Sequence, residues 1–241
     1  MSPTMNFVLR TTLIFILLFF LNNSVSSAQE IKDNSITAEG GVDFLSNYIW
    51  RGQDFMHKGT IQPYISTSWK NFTLGMWSAF RIKGDGTDEV DLYLSKSVGP
   101  VTLTIYDYWS YSKSLPSKYF DFNPNSTSHI LEAQVLISGG EKIPLNLLGS
   151  YMFYGDDPSR SVYLELQYVR PIKEAELTLS VGYQVKGKYY GEKASFVNTG
   201  IGFKQPIRLF DKIATNVISN LTYNPLADKV YFTIGFGFNS L

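Results

Sequence analysis

The chain has 241 residues, with 21 basic and 21 acidic side chains, 17% charged residues and no cysteine. So even a balance offers no basic surface for nucleic acid or an anionic membrane. The lack of cysteine excludes a disulfide framework, a thiolate nucleophile and a Cys metal site.

At the amino end, Arg10 precedes the apolar run Leu13–Leu21, and the polar stretch Asn22 to Ala28 follows. Ser26 and Ala28 occupy the small-x-small positions of a cleavage site, so residues 1–28 read as a signal peptide and the mature chain begins at Gln29. An apolar run of nine residues is too short for a spanning helix, which needs about 20. Cleavage removes Arg10 and no acid, leaving 20 basic against 21 acidic residues, a net charge of minus one. Residues 29–241 carry no linker, charge block or helical heptad, and read as one all-β domain.

Alternation of apolar and polar residues predicts strands at 36–51, 60–70, 72–82, 88–97, 101–111, 128–138, 144–154, 161–169, 176–187, 194–204, 212–223 and 229–238. The last is the cleanest. Val230, Phe232, Ile234, Phe236 and Phe238 form one face, and Tyr231, Thr233, Gly235, Gly237 and Asn239 the other. With the amino end in the periplasm, the connectors at Asn71, 98–100, 139–143, 171–175 and 205–211 share one side. The longer ones share the other, including Ser112 to Thr127 with Pro116 and Pro124. Short turns at one end and long loops at the other are the pattern of a transmembrane barrel.

A soluble sandwich would carry Lys and Glu on its polar faces, whereas these faces hold mostly Ser, Thr, Gly, Asn, Gln and Tyr. Large aromatics sit near strand ends, at Tyr48, Trp50, Trp69, Phe72, Phe80, Trp109, Tyr111, Phe153, Tyr168, Phe203, Tyr223 and Phe238, as in the interfacial girdles of a membrane protein. The expected architecture is a single antiparallel up-and-down β-barrel of about twelve strands in a bacterial outer membrane. It would be exported by the signal peptide, inserted by the barrel-assembly machinery and surrounded by outer-membrane lipid.

The run Ser46-Asn-Tyr-Ile-Trp-Arg-Gly52, followed by Gln62-Pro63, resembles the signature of the TorF-like putative porins. In that resemblance Ser46, Tyr48, Trp50, Arg51 and Gly52 fill the pattern Ser-x-Tyr-x-aromatic-Arg-Gly, and the rest of the chain matches only in barrel pattern. The resemblance implies an outer-membrane barrel suspected of passive transport. Many such proteins end on an aromatic residue; this chain departs from that by ending Phe238-Asn-Ser-Leu241.

Read physically, alternation puts Tyr48 and Trp50 on the lipid face, Arg51 inside, and Gly52 at the sharp exit into the first outer loop. Arg51 serves either as half of a structural ion pair or as a pore-lining residue. The same alternation turns Glu39, Asp43, Glu89, Asp91, Glu132 and Glu165 inward with Arg51, Arg81, Lys186 and Lys204. Of these, Asp43, Arg51, Arg81, Glu89, Asp91, Glu132, Glu165 and Lys186 are the pore-lining candidates. Six acids against four bases give a narrow polar channel with at most a slight cation preference.

Inward Tyr64, Trp77, Tyr93, Tyr106, Tyr108, Tyr154 and Tyr163 either fill the lumen or offer a stacking surface for sugar rings. Asp107 falls on the lipid face, which calls for a bulge or a reach into the headgroups. No cluster has metal-ligand spacing, and no cofactor motif occurs.

The function expected from these readings is a passive channel for small polar solutes. One alternative is an adhesin or assembly partner acting through its outer loops, chiefly Ser112–Thr127 with Tyr119, Phe120 and Phe122; that loop would otherwise plug the mouth. The other is a rim-sited hydrolase. For it the chain supplies only His57 and His129 as bases, Ser128 on the wrong strand face beside His129, and the turn carboxylates Asp156 and Asp157. An enzyme is therefore not expected.

Overall fold

A computed structural model describes residues 35–112, 118–140, 143–210 and 213–239. The proposed signal peptide and the Gln29 start lie outside the described residues. So do residues 113–117 of the longest outer loop.

Twelve strands close a barrel: β1 (Ile36–Leu45), β4 (Thr60–Trp69), β5 (Phe72–Arg81), β6 (Asp88–Val98), β7 (Val101–Tyr111), β8 (His129–Ser138), β9 (Leu145–Gly155), β10 (Val162–Ile172), β11 (Ala175–Lys186), β12 (Ser195–Leu209), β13 (Ile213–Asn224) and β14 (Lys229–Asn239). Each pairs antiparallel with its neighbours in sequence, and β1 closes the ring by pairing β4 on one side and β14 on the other. The fold is thus a single antiparallel up-and-down barrel with no free sheet edge. The remaining two strands, β2 (Ile49–Trp50) and β3 (Gln53–Asp54), pair only with each other.

One end of the barrel is closed by tight turns. Trp69 pairs with Phe72 across Lys70-Asn71, Val98 with Val101 across Gly99-Pro100, and Ile172 with Ala175 across Lys173-Glu174. Lys70, Gly99 and Lys173 each take a positive φ, the sense of twist that matches two-residue hairpins. The opposite end carries the long connections.

The two faces of the wall are inverted relative to a soluble protein. Outward side chains such as Leu74, Leu94, Leu166, Ile201, Leu221, Phe232 and Ile234 are exposed around the ring, while Gln62, Glu132, Ser150, Gln184, Asn198 and Thr233 are buried inside it. A continuous apolar belt on strands of ten residues or more is stable only against hydrocarbon, so the barrel spans a membrane. Trp69 and Tyr223 stand exposed at strand ends, where an amphipathic ring suits the interface.

Several sequence expectations change. The first strand stops at Leu45 instead of running to residue 51. Asp107 needs no bulge: the registers of β6–β7 and β7–β8 are regular through it, and its carboxylate lies 2.6 Å from Nδ1 of the fully buried His129 on the outer wall. Nε2 of His129 lies 2.6 Å from the Tyr119 carbonyl, and Phe122 stacks on its ring at 4.3 Å. The described part of the longest outer loop therefore packs against the outside of the barrel and is not a plug.

Tyr154 also belongs outside, because a register shift between Leu131 and Glu132 sets it opposite Leu131. Its hydroxyl donates to the Phe122 carbonyl.

The inversion predicts a sharp contrast between faces. Ile234→Arg, at the middle of β14 facing lipid, lowers stability by roughly 2–4 kcal/mol, whereas Asn220→Arg, facing the lumen, costs far less. Urea titration of the refolded barrel in vesicles measures both.

Candidate functional site

Beyond Leu45 the chain turns inward. Trp50 pairs with Gln53, and the two residues between them, Arg51 and Gly52, have φ of 47° and 80°, the positive pair of a type I′ turn. Gly52 is needed twice over, since a Cβ there would lie 1.9 Å from the Val197 carbonyl oxygen. The signature residues thus form a hairpin, β2–β3, folded into the lumen.

Its anchors are polar and nearly dry. Arg51 Nη1 and Nη2 donate to Glu132 Oε2 and Oε1 at 2.7 and 2.9 Å, a bidentate pair whose side chains are 5% and 0% exposed. Tyr108, Gln134 and Ser150 also donate to Glu132, at 2.9, 2.6 and 2.9 Å. The guanidinium lies 4.4 Å from the Trp50 ring centroid and 4.6 Å from that of Tyr163, and it donates to the Tyr190 hydroxyl.

Burial pushes the Tyr190 hydroxyl above its ordinary titration range. Burial does the same for Tyr48, helped by the nearby Glu89 carboxylate, so Tyr48 stays the donor of its 3.0 Å bond to Glu89 Oε1. Asn224 Nδ2 donates to the Gly52 carbonyl at 3.0 Å, which ties the turn to β13.

The lumen is divided unequally around this hairpin. On the β5–β10 side Trp77, Tyr93, Tyr106, Tyr108 and Tyr163 point inward; Tyr106 and Tyr108 stack at 5.2 Å, Trp50 meets Tyr108 at 5.4 Å, and Tyr48 meets Trp77 at 5.1 Å. On the β11–β14 side many inward positions are small or amide-bearing, among them Gly200, Gly202, Asn198, Asn220 and Thr233. There a cavity of about 430 Å³ runs from the hairpin along Gln62, Asn198, Gly200, Asn220, Thr222 and Thr233 to Glu176 and Lys204, which are register partners.

The structure places the pore-lining candidates differently from one another. Asp43 and Arg51 border the cavity. Arg81 binds Asp88 at 2.9 Å, its own neighbour across the rim, and Lys186 is exposed at the end of β11. Glu89 accepts from Tyr48 and Ser110, at 3.0 and 3.3 Å. Glu165 accepts from Gln167 at 2.7 Å, from Asn198 at 2.8 Å and from Tyr163. Asp91 is 4% exposed, and its Oδ1 has no hydrogen-bond partner.

Tyr48 and Trp50 sit inside the barrel and not on lipid, because the hairpin reverses them. Ser46 accepts from the Ile234 N–H at 3.0 Å and donates its own N–H to the Ile234 carbonyl at 2.8 Å, fixing where the chain leaves the wall.

Of the groups considered for a rim-sited hydrolase, His129 and Asp157 make structural contacts. Both ring nitrogens of His129 have partners, and Asp157 accepts from the N–H groups of Ser159 and Ser161. Burial and the adjacent Asp157 raise the Asp156 carboxyl.

No protein-family model and no curated protein matches the chain. Among solved structures it is similar to an engineered triple mutant of the Rhodopseudomonas blastica porin, at 11% identity and a TM-score of 0.41, covering 75% of this chain and 55% of that one. It is also similar to the KdgM porin, at 10% identity and a TM-score of 0.49, covering 85% of this chain and 99% of that one. The chain thus spans just over half the length of the first of these.

Removing one partner of a buried pair leaves the other uncompensated. Glu132→Gln and Arg51→Met each destabilise the folded barrel by about 3–5 kcal/mol, and the double variant recovers most of that loss. A double-mutant cycle from denaturant titrations checks it.

Proposed function

We propose that the protein is a bacterial outer-membrane channel that passes small polar solutes along the β11–β14 side of its lumen, beside a constriction made by the Tyr48–Asp54 hairpin. The observation that carries this reading is the cavity of about 430 Å³, whose lining includes amides, hydroxyls, glycines and a few charged groups, next to a hairpin pinned to the far wall. Such a lining exchanges hydrogen bonds with a hydrated solute and holds it weakly, as passage requires.

The asymmetry of the lumen gives the route its direction, since the aromatic half is packed and the glycine-bearing half is not. Asp43 and Glu176 face this cavity with Lys204, so opposite charges nearly offset one another and the channel favours cations only slightly. The resemblance of Ser46, Tyr48, Trp50, Arg51 and Gly52 to the TorF-like signature is part of this reading, because those residues build the constriction. Export through the signal peptide at residues 1–28, and insertion by the barrel-assembly machinery, complete it.

Single-channel recording in planar bilayers tests the proposal. Wild-type protein gives steady steps with a small cation-selective reversal potential. Replacing Asn47–Lys58 by a short Gly-Ser linker raises conductance several-fold, and removing the outer-wall loop leaves it unchanged. A silent but folded barrel in every form, or strong anion selectivity, would contradict the reading.

A further inference from the structure

The hairpin touches the wall at a second charged place, on the lumen face of β6. Glu89 and Asp91, two residues apart on one strand, project to the same side. Among the described residues neither forms an ion pair, and Arg51 and Arg81 are engaged elsewhere, with Glu132 and with Asp88.

Asp91 lies between its register partners Trp77 and Tyr108, and the Tyr48 ring packs on Trp77 at 5.1 Å, so aromatic surface encloses the carboxylate. It is 4% exposed, and its Oδ1 is buried without a partner. A buried carboxylate with an unsatisfied oxygen, beside a half-buried like charge, is costly unless something positive joins them.

We propose that Glu89 and Asp91, with the Tyr48 and Ser110 hydroxyls, bind one divalent cation of calcium's size. The Tyr48 hydroxyl lies 3.0 Å from Glu89 Oε1 and the Ser110 hydroxyl 3.3 Å from Oε2, so oxygens from the hairpin, β6 and β7 converge there. Together with the carboxylates they make an all-oxygen donor set of the kind a hard cation with flexible coordination takes. A double positive charge matches the two acids, and the surrounding rings keep out competing water. The ion fastens the hairpin to β6, two strands from its Arg51–Glu132 attachment on β8.

Calcium titration of the full barrel refolded in detergent tests this by calorimetry. Terbium luminescence sensitised through Trp77 is the second readout, and neither depends on whether the barrel conducts. The wild type binds one equivalent saturably. Asp91→Asn and Glu89→Gln, each verified as folded by circular dichroism, bind at least ten-fold more weakly, and Glu39→Gln binds as the wild type does. Absence of binding in the folded wild type, or unchanged affinity in both site variants, overturns the proposal. Absence of binding together with a higher Tm for Asp91→Asn also overturns it, and identifies a shared proton as what joins the two acids.

Discussion

The bidentate pair between Arg51 and Glu132 is the constraint on which the rest of the lumen depends. It joins the tip of an inward hairpin to a wall strand in a place where both side chains are almost wholly buried. Desolvating two charges is costly, and the cost is offset only because every lone pair of Glu132 and the cationic face of Arg51 find partners in Tyr108, Gln134, Ser150, Trp50 and Tyr163. The pair thereby fixes position more than it adds stability. It decides that the hairpin leans toward β8 and that free space remains on the other side.

That division follows from residue size along the wall. Inward positions from β5 to β10 include the rings of Trp77, Tyr93, Tyr106, Tyr108 and Tyr163, and those from β12 to β14 include Gly200, Gly202, Gly235 and Gly237. A twelve-stranded barrel lies between the small barrels filled by side chains and the wide porins. Here one half behaves like the former and the other like the latter. The outer wall follows a separate logic: the Asp107–His129 pair satisfies a polar group on the apolar face, and the Phe122 and Tyr119 segment covers it from water and lipid alike.

Most of the barrel was legible in the sequence because period-two alternation is a direct record of a wall with lipid on one side. The twelve strands, their turns and the inward acids Glu132 and Glu165 came from that record. The hairpin did not, because Tyr48 and Trp50 continue the alternation of Val42 and Phe44 in β1 even though the chain has left the wall. Arg51-Gly52 also lacks the Asn-Gly or Asp-Gly that announces a type I′ turn. The move of Tyr48 and Trp50 from lipid to lumen follows from the chain leaving the wall after Leu45.

Tyr154 was misplaced for a similar reason, since a register shift leaves no mark in a hydrophobic pattern. The side of the lumen that stays open was written in the sequence as the contrast between inward Tyr and inward Gly. Only knowing that the strands close in order makes that contrast readable.

The account's central claim is that the hairpin divides the lumen and leaves the β11–β14 side as the route. Because the chain has no cysteine, a single introduced thiol can report on each side separately. The direct measurement is block of single-channel current by a bulky charged methanethiosulfonate reagent, in Asn220→Cys on the open side and Ser150→Cys on the packed side. The account predicts prompt block at residue 220 and none at residue 150. Equal block at both, or block only at residue 150, would contradict it.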